Sequence, residues 1–131
     1  MTTNSDFIND TARKLFIINY SEVLENEQAE SVLRALNRMM SSWIVDGIDI
    51  GWYEQTDLGG TLPIEAKYER GVMANLALEI APDFESVPTP QLITIAQDSY
   101  NTLAQATVKD TGRSLNELPG TNNDLYDIRS G

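Results

Sequence analysis

Apolar residues recur at steps of three and four over Ala29, Val32, Leu33, Leu36, Met39, Met40, Trp43 and Ile44. That spacing gathers them on one face of an α-helix and predicts a long amphipathic element. Asn26 is its predicted N-cap, with Glu27 and Glu30 near the positive end of the helix dipole. Gly47 is its predicted stop, because a residue without a Cβ readily takes the left-handed conformation just past a helix. Beyond it the period changes. Ile48, Ile50 and Trp52 alternate with Asp49 and Gly51, which predicts a short extended segment. Trp43 is expected in the core. Trp52 lies between Gly51 and Tyr53, where a sheet edge could form; it fits either the core of this chain or burial in a partner, with Tyr53 beside it.

The same reading divides the rest of the chain. Phe7, Ile8, Ala12, Leu15 and Phe16 predict a helix from about Asp6 to Phe16, capped by Thr3, Asn4 or Ser5, and Asn19 to Asn26 reads as a polar connection. Turn formers from Glu54 to Gly60 predict a loop, with Thr61 and Leu62 returning beside residues 49–53 as a small hairpin. Pro63 suits the first turn of a third helix over Ile64 to Ile80, with Ile64, Tyr68, Val72, Met73, Leu76 and Ile80 as its apolar positions. Gly71 interrupts this pattern at about 1 kcal/mol relative to Ala, and a close helix crossing is the expected reason. Pro82 ends the helix, since the residue before a proline is pushed out of the α region. Thr89 followed by Pro90 places a hydroxyl N-cap before a proline at the first helical position. A fourth helix is predicted from there to about Thr107.

The expected fold class is therefore mainly α. Residues 1–108 read as a four-helix bundle-like domain with a short extended or hairpin segment after the second helix. Residues 109–131 lose periodicity and are rich in turn formers, yet Leu115, Leu118, Pro119, Leu125, Tyr126 and Ile128 recur through them. An extended C-terminal arm is expected: either a solvated tail, or a set of anchors, with Arg129 among them, for a partner or neighbouring subunit.

Composition narrows the function. At 131 residues and 41% apolar content the chain is sized for one core. No apolar run is long enough to cross a membrane, and the start MTTNSDF shows no export signal. The absence of cysteine removes disulfides and thiol chemistry. Nine basic residues against 20 acidic ones give a formal charge of −11, too little positive charge to grip nucleic acid by its phosphates. Solubility is the plain account of that charge; a surface that repels DNA while surrounding it is the other.

Candidate chemistry is sparse. With neither His nor Cys, the commonest general base, the commonest nucleophile and the usual zinc ligands are missing. No phosphate-binding glycine motif occurs. Asp49 with Glu54 or Asp57 could form a glycosidase-like carboxylate pair, but such pairs arise by chance among 20 acidic residues. Asn122, Asn123 and Asp124 have the wrong spacing for a calcium loop. No catalytic, cofactor or metal residue is expected, and the chain should act by contact.

Two segments carry a resemblance. LNRMMSSWIVDGIDIGW, followed after a loop by LPIEAKYERGVMANLALEIAPDF, resembles the head-to-tail adaptor family of short-tailed bacteriophages, the packaged-DNA stabilization proteins or tail accessory factors. Leu36, Met39, Trp43 and Gly47 match the family's helix end. Leu62-Pro63, then Asn75 through Phe84, match its next helix, and TPQLITIAQDSYNTL resembles the start of its fourth. The resemblance covers about residues 5 to 107; the central loop is shorter here and no motif matches beyond the fourth helix.

It implies a ring, commonly of twelve copies, beneath the portal protein. Such a ring would extend the DNA channel, help retain the packaged genome and offer a platform to the next tail or nozzle protein. DNA would pass through without sequence-specific binding, and no membrane is implied. The expected location is the virion's head-to-tail interface, after synthesis in the bacterial host cytoplasm. Two other readings remain open: a cell-wall-degrading, glycosidase-like tail protein, and a small acidic helical regulator that binds a host protein.

Overall fold

A computed structural model describes residues 2–107. Its elements are α1 (Asn4–Lys14), α2 (Asn26–Val45), α3 (Ala66–Ile80), a 3₁₀ turn (Ala81–Phe84) and α4 (Pro90–Thr107). The chain is mainly α, as its pattern predicts, and among the described residues there is no strand. The expected arm over residues 109–131, and with it the domain boundary at residue 108, lies outside the described residues.

α3 is the central element, packed against α1, α2 and α4. A helix covered on several sides must be apolar over more than a stripe. Val72, Ala74, Leu76, Ala77 and Ile80 are accordingly all buried. α2 is covered mainly on one side and keeps the cleaner amphipathic pattern that makes it so legible. Phe7, Ile8, Leu36, Met40, Ile48 and Leu76 are fully enclosed, and each such side chain stabilises the fold by about 1.5–3 kcal/mol.

The helix ends follow local chemistry. Thr3 caps α1, its Oγ1 accepting the Asp6 N–H at 3.0 Å, so the helix starts two residues earlier than expected. The cap of α2 is Glu25 rather than Asn26, because Gln28 Oε1 reaches back to accept the Glu25 N–H at 3.3 Å. Gly47 stops α2 in the left-handed conformation, at φ +95°. Its N–H donates to Ile44 O at 3.0 Å and the Ile48 N–H to Trp43 O at 2.9 Å, which together close a Schellman motif. α3 ends before Pro82, as expected, and a single 3₁₀ turn follows. Thr89 caps α4, accepting the Leu92 N–H at 3.1 Å. The start of α3 differs from expectation: Leu62 and Ile64 are buried in extended chain, so Pro63 precedes the helix.

The loop between α2 and α3 also differs. Thr61 does not return beside residues 49–53 but bridges Thr3, and the Leu62 N–H donates to Thr2 O at 2.9 Å. Side-chain amides hold the rest of the loop. Asn37 donates to Gln55 O at 2.8 Å and accepts the Gln55 N–H at 2.9 Å, much as a neighbouring strand would. Asn4 Nδ2 donates to Gln55 Oε1 at 2.9 Å and to Asp57 O at 2.8 Å. With its backbone paired to α1 and α2 in this way, the loop needs no hairpin partner.

Candidate functional site

Two surfaces flank the helical body. The first is the end of α2 and the chain leaving it. Trp43 is 5% exposed and meets Tyr100 of α4 edge-on, with ring centroids 5.3 Å apart. Trp52 turns inward and is 8% exposed, so its indole packs within this chain. Tyr53, next to it, is 66% exposed, and Val45 is exposed at the same end of α2. Of these two adjacent aromatics, Tyr53 is therefore the one open to solvent.

Tyr100 ties α4 to this end, its hydroxyl donating to Asp46 Oδ2 at 2.7 Å. That hydrogen bond, then burial and repulsion from the Asp46 carboxylate, raise the phenol above its ordinary value of 10.0. Because the folded value is the higher one, the tie contributes fully below about pH 10 and is lost as pH rises through the raised value. An alkaline titration followed by phenolate absorbance should show a late-ionising component, and Tyr100→Phe should remove it. A titration unchanged by the substitution would refute the tie.

The second surface surrounds the connection from α1 to α2. Phe16 was expected on the apolar face of α1, but it is 79% exposed with φ +61°. Here α1 closes by the same hydrogen-bond pattern as α2: the Ile17 N–H donates to Ala12 O and the Phe16 N–H to Arg13 O, each at 3.0 Å. Phe16 thus holds the position usually given to glycine, at a strain of about 1–3 kcal/mol. Nothing in the sequence marks it, since the usual signal for this turn is the glycine it lacks. Tyr20 and Val23 are also exposed in this connection. Arg13 fixes its course, pairing with Asp10 at 2.9 Å and donating to the carbonyls of Asn19 and Glu22.

Between this connection, the first half of α3 and the start of α4 runs an open groove of about 1200 Å³. Ile17, Ile18, Met73, Ala74, Leu92 and Ile95 supply its apolar lining. Arg13, Lys14 and Arg70 stand around it with Asp10, Glu22 and Glu69. Sequence periodicity could not have found the groove, because it joins residues from four separate segments.

The carboxylates considered for catalysis have local structural roles. Asp49 Oδ1 accepts the Gly51 N–H at 3.0 Å, and Asp57 Oδ1 accepts the Gly59 N–H at 2.9 Å, each closing a turn. Glu54 is exposed. Among the described residues no cluster of three or more acidic side chains is placed to hold a metal ion. The arm residues Leu115, Leu118, Pro119, Leu125, Tyr126, Ile128 and Arg129 lie outside the described residues. Gly71 and Pro82 act within the fold.

The profile of one protein family, described as the P22 tail accessory factor, matches residues 1–128. The chain belongs to this family. As a tail accessory factor it is a structural protein associated with a phage tail. The match also corrects the extent read from motifs, running past Thr107 into the arm that carried no recognisable motif. No curated protein sequence matches the chain. No helix among the described residues of this tail accessory factor is long and apolar enough to cross a membrane.

Proposed function

We propose that this tail accessory factor is the head-to-tail adaptor of its virion. Copies assemble as a ring, twelve by the motif resemblance, beneath the portal protein. The ring extends the DNA channel, helps retain the packaged genome and presents a platform to the next tail component. Residues 1–108 form the adaptor body and residues 109–131 the arm that wraps a partner. The observation that carries this reading is the family match, because it spans both the body and the arm to residue 128.

The physical character of the surface supports it. A formal charge of −11 per copy gives a ring whose lining repels phosphates, so DNA can slide through without adhering. Tyr53, positioned by the inward-facing Trp52, and the apolar residues of the arm from Leu115 to Ile128, with Arg129, are assigned to contacts with the portal or a neighbouring subunit. No catalytic step is assigned. Synthesis in the host cytoplasm and incorporation at the head-to-tail junction follow from the same assignment.

The test is to mix the purified chain with portal rings of its own phage and image the product. Added density below the portal, following the portal's symmetry, is the expected result. A chain that remains monomeric beside intact portals would overturn the adaptor assignment.

A further inference from the structure

The groove beside Phe16 stands out by its charge. Of the six basic residues within residues 2–107 (Arg13, Lys14, Arg34, Arg38, Lys67 and Arg70), three line it. Only three of the body's many acidic side chains do so, which makes the groove far less negative than the rest of the surface. Arg13 is committed to Asp10. Lys14 and Arg70 are exposed and form no ion pair among the described residues. Below them lie Ile17, Met73, Leu92 and Ile95. The site therefore suits a short peptide with apolar side chains flanked by carboxylates.

This chain contains such a segment. Asp124-Leu125-Tyr126-Asp127-Ile128 sets three apolar side chains between and beside two carboxylates. We propose that in the isolated protein the groove holds residues 124–128 of the same chain. The reach is well matched. Ile95, at the groove, and Thr107, at the end of α4, are twelve residues apart in one helix, about 18 Å. Sixteen residues, 108–123, separate Thr107 from the segment, and a random coil of that length would span about 20–24 Å. A connector whose length matches the span gives an effective concentration in the millimolar range, so even a weak peptide site fills from its own chain. Elsewhere on this acidic body the same segment meets like charge. The inference rests on the arm being a docking segment and names the surface that receives it before a partner does.

The absence of cysteine makes a direct test clean. Ser130→Cys in the full chain, carrying a nitroxide label, should selectively broaden the side-chain NMR signals of Met73, Leu92 and Ile95. Signals of Ile44, on α2, should keep their width. The broadening should be independent of protein concentration and lost with Leu125→Ser/Ile128→Ser, changes that leave the buried core of the body untouched. Lys14→Glu/Arg70→Glu should also lose most of it. No selective broadening would overturn the proposal. So would broadening that grows with concentration, which assigns the groove to the arm of a second copy. The experiment contains no portal, so its failure and the failure of the adaptor assignment are separately visible.

Discussion

Gly71→Ala should destabilise the helical body by about 2 kcal/mol, even though alanine is the better helix former. A Cβ at Gly71 would stand 2.5 Å from Ser99 Cβ and 2.9 Å from Ser99 Oγ. The nearer atom is fixed to the α4 backbone and cannot rotate away, so α3 and α4 must separate. Overpacking of this kind costs about 3 kcal/mol, offset by about 1 kcal/mol of improved helix propensity. The separation would also strain Asn75, which spans the crossing by donating to Gly71 O at 2.8 Å and Ala96 O at 3.0 Å. Moving the glycine across the interface tests the cause. Ser99→Gly alone should cost about 0.5 kcal/mol through helix propensity. Gly71→Ala/Ser99→Gly should be more stable than Gly71→Ala, because the added methyl occupies the vacated space. Urea unfolding would read these differences as shifts in midpoint at constant slope. A Gly71→Ala protein as stable as the parent would show that the crossing is not tight.

Gly71 also illustrates what the sequence could tell. A glycine inside a helical pattern signals that something approaches closely, though not that the approaching residue is Ser99. The long helix and its stop at Gly47 were legible because periodicity and a left-handed turn leave local marks. The hairpin expected after Tyr53 was not a local property. Its competitor was a set of amides on Asn4 and Asn37, together with the N-terminal residues Thr2 and Thr3, and these lie far away in sequence. Phe16 escaped for a related reason. An apolar residue in register with a helical face is expected inward, and only the left-handed turn that Phe16 itself makes just past α1 turns it out. The candidate site was least legible of all. The pairing of Tyr100 with Asp46 and the gathering of cations beside α1 both depend on helices meeting in space.

Removing residues 109–131 should leave the body folded and abolish its assembly on the portal. Among the described residues the buried apolar side chains run from Phe7 to Leu103, a contiguous core that the cut leaves intact. Circular dichroism and the urea midpoint of the shortened chain should therefore stay close to those of the parent. The arm carries Leu115, Leu118, Leu125, Tyr126 and Ile128, and only some of these need be buried in the complex. Losing two anchors worth about 1.5 kcal/mol each already weakens binding by about two orders of magnitude. If the arm fills its own groove as proposed, it must leave that groove before holding a partner, whereas the shortened chain has nothing to release. That difference separates two roles. If the arm served only to mask the body, truncation would strengthen portal binding; as an anchor, it makes truncation a loss. Sedimentation of portal mixed with either chain reads the sign directly, and equal or tighter binding by the shortened chain would end the anchoring role.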